Sequence, residues 1–178
     1  MQNFQAAPWS TGLKVVSVLG LAVLAGLGFA IHHAIPYGTQ VPYAESFGIA
    51  LVAVPLLIFV FAILFVVTGY RLNAKCLYVQ RLLWSTRVDL AGLQHAWHDP
   101  SAMRRSIRLI GNGGLFSITG VFTNATLGRY RAFVTDPKQA VVLEYPARVV
   151  VISPAHPSTF LRRLKLAHPG ITVEEGAR

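Results

Sequence analysis

The chain has 178 residues, 53% of them apolar, with one cysteine and a formal net charge of +9. A single cysteine excludes an internal disulfide framework. Once two long apolar runs are set aside, the remaining length excludes more than one small domain.

The first run, residues 15–31, and the second, residues 47–68, contain no ionisable side chain, and every arginine lies after them. At about 1.5 Å of rise per helical residue the second run reaches about 33 Å, enough for a hydrocarbon core of about 30 Å. Lipid offers the backbone no hydrogen-bond partner, so such runs are expected as helices, at about residues 13–35 and 47–70. Pro36-Tyr37-Gly38 ends the first, and Tyr37 and Tyr43 are amphipathic rings suited to headgroup level. Pro55 inside the second run predicts a kink. A cleaved signal peptide competes for the first run, but the run is longer than a usual signal core and no small-x-small site follows it. His32 and His33 close the first run near its polar exit and are expected to mark the interface.

Lys14 precedes the first run and Arg71, Lys75 and Arg81 follow the second, whereas the connecting residues 36–46 have no Lys or Arg. The positive-inside tendency therefore predicts a multi-pass protein of the bacterial inner membrane with both termini cytoplasmic. The organisation expected is a transmembrane hairpin at residues 1–70, a cytosolic domain at 71–170 and a tail at 171–178, frayed from Glu174 on. From residue 71, fifteen Lys and Arg stand against six Asp and Glu, so this segment carries the whole positive excess. Such a field suits anionic lipid, acidic protein surfaces or nucleic acid.

After residue 71 the apolar period shortens towards two. Leu77, Val79 and Leu83 share one parity, and Thr86, Val88 and Leu90 alternate with Arg87 and Asp89. Further strands are expected at residues 106–110, 115–122, 130–135, 140–144 and 149–152. Gly111-Asn112-Gly113-Gly114 is expected as a hairpin turn, because Asn-Gly accepts positive φ. Asp136-Pro137-Lys138 and Tyr145-Pro146-Ala147 mark two more reversals. Residues 159–166 change period: Phe160, Leu161 and Leu164 share a helical face away from Arg162, Arg163 and Lys165, and His168-Pro169-Gly170 stops the helix. The fold class expected is α+β to mainly β: about seven strands in a bent sheet or partly open barrel, capped by one C-terminal helix.

The residues Ile107-Arg108-Leu109-Ile110-Gly111-Asn112-Gly113-Gly114-Leu115-Phe116, then Gly120-Val121-Phe122, Leu127-Gly128-Arg129-Tyr130, Thr135-Asp136, Val151-Ile152-Ser153-Pro154 and Phe160, together resemble the bacterial pleckstrin-homology-like (PH-like) membrane proteins. The resemblance spans about residues 70–166. It implies a seven-stranded bent sheet with a C-terminal helix and a binding or assembly role, and it brings no catalytic residue.

Two basic groups are candidate contact surfaces. Arg81, Trp84 and Arg87 flank the turn between the first two tail strands, where Trp84 would dip into the interface and the arginines would meet phosphates. Arg104, Arg105 and Arg108 cluster in sequence, and Arg129 and Arg131 share a strand face. Against both stands the plain solvated surface. Gly111–Gly114 resembles a phosphate cradle only superficially, because a strand pattern and not a helix follows it. His95, His98 and Asp99 would suit one turn of helix as metal ligands but lack a further ligand. Cys76 has no visible base, and the scattered acidic residues Asp89, Asp99, Asp136 and Glu144 do not pair. No cofactor, no small-molecule substrate and no catalysis are expected, and no nucleic-acid motif accompanies the charge. The functional expectation is a non-enzymatic membrane protein displaying a PH-like module for a protein partner or a homo-oligomer. An anionic-lipid or membrane-state sensor is the first alternative, and an accessory subunit of a transporter or membrane enzyme the second.

Overall fold

A computed structural model describes residues 2–34 and 44–174. In chain order it contains strand β1 (Gln2–Gln5), helices α1 (Thr11–Ala34) and α2 (Ala44–Leu64), strands β2 (Gly69–Leu72), β3 (Cys76–Gln80), β4 (Ser85–Asp89), β5 (His95–His98), β6 (Ile107–Gly113), β7 (Ile118–Asn124), β8 (Gly128–Val134), β9 (Val141–Tyr145) and β10 (Arg148–Ile152), helix α3 (Pro157–Ala167) and strand β11 (Thr172–Glu174). The expected turn residues Pro36, Gly38 and Pro42, the rings of Tyr37 and Tyr43, and residues 175–178 lie outside the described residues.

Both long helices are of a length and composition that could cross a membrane. Ser10 begins α1 by accepting the Leu13 N–H on its hydroxyl at 3.2 Å, which satisfies one of the free donors of the first turn. Helix α2 runs through Pro55 and ends at Leu64, short of the expected residue 70. The reason is pairing: Tyr70 lies between Phe4 of β1 and Val79 of β3, so residues 69–72 are the second strand of a sheet. Residues 2–5, read above with the hairpin, are its edge strand. The chain therefore enters α1 from, and leaves α2 into, adjacent strands.

The smaller sheet has the order β1-β2-β3-β4, and the larger β11-β5-β9-β10-β8-β7-β6. Neighbours are antiparallel except β10 with β8 and β11 with β5. Neither sheet closes into a barrel among the described residues. Alternation along the central strands buries both faces of the larger sheet: Val150 and Ile152 enter one apolar cluster, and Val151 enters another. The first cluster joins Tyr70, Leu77 and Val79 of the smaller sheet to Leu143 and Ile152 of the larger, and α3 caps it with Phe160, Leu161 and Leu164, all fully buried. The second packs Trp97, Phe122, Tyr130 and Val142 beneath the turn that carries Ala102.

Three local expectations are corrected. Gly111–Gly113 belong to β6, and the reversal falls at residues 114–117, with Gly113 opposite Ile118. Here Asn112 does not form the turn with its backbone. Its side chain folds forward and accepts the N–H groups of Gly114 and Leu115. Gly111 and Gly120 face each other at φ of +116° and +145°, and a Cβ on either would overlap the opposite backbone. Residues 95–98 form strand β5, not a helical turn, so His95 and His98 do not follow helical spacing; the His98 ring lies 3.1 Å from the Lys138 carbonyl. Leu83, expected within a strand, falls in the β3–β4 turn.

Candidate functional site

The junction between the apolar helices and the strand domain is built around the last carbonyl turn of α2. The Phe65 carbonyl, one of the oxygens a helix end leaves without an intrahelical donor, accepts Nη1 of Arg81 at 2.6 Å and the Ser117 hydroxyl at 3.2 Å. A cation at this end also complements the helix dipole. Arg81 reaches it from the foot of β3, where its N–H closes the β3–β4 turn on the Trp84 carbonyl. Its Nε donates to Thr86 Oγ1 at 3.2 Å. Its guanidinium carbon stands 5.0 Å from the Phe65 ring, 5.5 Å from Phe133 and 6.0 Å from Trp84. Arg81 is only 8% exposed. Burial lowers its pKa from the ordinary arginine value, the charge of Arg131 lowers it further, and Tyr70 acts in the opposite direction.

Arg81, Arg108 and Arg131 line one cavity of about 530 Å³ whose other wall is Ile58 and Phe61 of α2 and Phe65 just after it. Arg131 stacks on Phe133 at 4.9 Å. No carboxylate pairs with these three arginines among the described residues; the ion pair there joins Arg87 to Asp89 at 3.6 Å on the exposed face of β4. The cavity thus sets positive charge, with no protein carboxylate paired to it among the described residues, against an apolar wall.

The structure thus regroups the candidates. Arg81 from the first basic group and Arg108 and Arg131 from the second meet in the cavity. Arg129 shares the Arg131 side of β8, as the strand period predicts, and together with Arg87 and Arg148 these two line a neighbouring cleft of about 390 Å³. Arg104 and Arg105 lie in the turn before β6, where Arg105 has a φ of +52°. Trp84 packs edge-on against Phe65 at 5.2 Å, so the β3–β4 turn sits beside the end of α2. That turn presents Leu82 and Leu83 outward, the latter 73% exposed.

The family model for the bacterial PH domain matches residues 68–167. The chain belongs to the bacterial PH domain family. No curated protein and no solved structure matches it. Within the PH domain the matched segment begins just before β2 and ends with α3, so it contains the whole arginine wall of the cavity, while the apolar wall comes from α2, outside the match.

Sequence reasoning missed Ser17 and the Phe65 carbonyl as junction groups. The signal for Ser17 was present: it is the one hydroxyl in the run 15–31. In the structure it is 2% exposed, donates to the Gly114 carbonyl at 3.2 Å and accepts the Phe116 N–H at 2.9 Å.

Proposed function

We propose that the chain is a non-enzymatic, multi-pass protein of the bacterial inner membrane whose helical hairpin holds a cytoplasmic PH domain against the bilayer, and that this domain binds an anionic lipid headgroup in the arginine cavity. The observation that carries the reading is the placement of Arg81, Arg108 and Arg131, without a carboxylate, against the apolar wall of α2. A lipid phosphate beside acyl chains has that chemistry. A basic residue near an anionic leaflet contributes about 1 kcal/mol, so three of them make a contact that salt weakens. The exposed Leu82 and Leu83, beside Trp84, give the same end of the domain an apolar contact with the interface. The orientation rests on Lys14, Arg71 and Lys75 at one end of the hairpin and on the lack of Lys or Arg in residues 35–46.

The test uses the full chain in nanodiscs of phosphatidylcholine with increasing phosphatidylglycerol. Ligand that binds only the folded state raises the unfolding temperature. The wild type is expected to gain thermal stability with phosphatidylglycerol, less so at high salt, and an Arg108→Gln/Arg131→Gln variant to gain little. Equal gains in both proteins would remove the lipid site.

Assembly at the membrane has one observation of its own. Strand β6 ends the larger sheet with an open edge and carries Ile107, 67% exposed, which another strand would cover. The mass of the protein in mild detergent tests this: an oligomer that Ile107→Lys dissociates supports it, and a monomer at every concentration removes it.

A further inference from the structure

The domain packs against part of both apolar helices. Helix α1 meets the β6–β7 turn over its first turns. A Cβ on Gly114 would come 3.1 Å from Val16 Cγ1, Ser17 bonds Gly114 and Phe116, and a Cβ on Gly20 would come 2.8 Å from Leu115 Cδ1. Phe116 also packs on Phe59 of α2 at 5.9 Å. Beyond Gly20, the described part of α1 is residues 21–34, about 21 Å of helix, against a hydrocarbon core of about 30 Å. The stretch beside the turn must therefore lie in lipid if the helix is to cross.

The side chains at that level agree. Val15, Val16, Val18 and Leu19 are half-exposed or more, with Val18 at 64%, while Ser17 is buried on the turn. Lipid-level backbone outside a helix is tolerated only where its polar groups find partners within the protein. The N–H groups of residues 114–116 and the carbonyls of Gly114 and Leu115 meet that condition. The Gly114 and Leu115 N–H groups donate to Asn112 Oδ1 at 3.2 and 2.9 Å, and Asn112 Nδ2 donates to the Leu115 carbonyl. The Gly114 carbonyl and the Phe116 N–H are taken by Ser17. A turn in water has no need of a helix hydroxyl to complete this set.

We infer that the β6–β7 turn, Gly114, Leu115 and Phe116, is immersed in the acyl region of the leaflet next to the PH domain, as a third membrane-contacting element whose partner is lipid hydrocarbon. The inference rests on the proposed reading that α1 and α2 span a bilayer. It places the arginine cavity, which Asn112 and Leu115 also line, at the adjoining headgroup level.

Spin labels on the full chain in phosphatidylcholine–phosphatidylglycerol vesicles test it, with Cys76→Ala removing the native thiol. Leu115→Cys and, as a second probe of the same turn, Gly113→Cys are compared with Val23→Cys on α1 and Lys138→Cys on the domain surface. The expected result is relaxation by oxygen above, and by a water-soluble nickel chelate well below, the Lys138 label, as for Val23. A turn label that reads like Lys138, or is shielded from both reagents, overturns the inference while Val23 still reports lipid. A Val23 label that reads as water overturns the membrane-spanning reading itself.

Discussion

The interior under α3 and the junction beside α2 are held together in opposite ways. Under α3, Phe160, Leu161 and Leu164 meet the inward faces of two sheets, so the contact is almost wholly apolar and repeats with the period of each element. At the junction, single polar groups join segments far apart in the chain: Ser17 to the β6–β7 turn, Arg81 and Ser117 to the Phe65 carbonyl. The first arrangement supplies stability through area removed from water. The second supplies position, fixing how a basic domain sits on an apolar hairpin.

The contrast breaks most sharply at Phe160. Phe160→Ala empties the centre of the cap and is expected to cost about 3–5 kcal/mol, read as a large fall in the denaturant midpoint in detergent. Tyr70 is a polar exception inside the same cluster: its hydroxyl donates to the Phe133 carbonyl at 2.6 Å and accepts the Ser153 N–H at 3.0 Å. Burial pushes its pKa up to about 12 from 10.0. Its raised folded value means the native state keeps the proton that the unfolded chain gives up. Its contribution to stability is therefore full below pH 10 and is lost as pH rises through 12, by about 2–3 kcal/mol; Tyr70→Phe should make alkaline unfolding curves shallower, leaving the slope from Tyr130 and Tyr145, whose pKa values burial also raises.

At the junction the effects are smaller and local. Ser17→Ala leaves the Gly114 carbonyl and the Phe116 N–H without a partner, a loss of about 1–3 kcal/mol. Hydrogen exchange should rise at residues 114–116 while amides of β9 and β10 stay protected. Uniform loss of protection would mean that the turn and the interior unfold as one unit. The smallest effect on stability, within about 0.5 kcal/mol, is expected for Arg131→Gln, whose side chain is exposed.

The same contrast explains which elements are legible in the sequence. Apolar period exposes an element whose neighbours are chemically similar all along it, and so the two long helices, the strands around Val142 and Val151 and the helix bearing Phe160 and Leu164 could all be read. Strand β1, Gln-Asn-Phe-Gln, has one apolar side chain in four and is a strand only because β2 pairs with it. Strand β11 has three residues and depends on β5. Asn112-Gly113 carried a turn signal at nearly the right place, but the Asn side chain shifted the reversal onward by capping it. The arginines of the cavity were each visible as candidates. Their grouping was not, because Arg81 and Arg131 are brought together by the packing of two sheets, whereas Arg81 and Arg87, close in sequence, diverge to the Phe65 carbonyl and to Asp89.

The account turns on the arginine cavity as a lipid site, and native mass spectrometry of the full chain released from membranes reads it most directly. Wild-type protein should retain an anionic phospholipid that Arg108→Gln/Arg131→Gln loses, with both proteins equally folded. The same lipid retained in equal amount by both would contradict it.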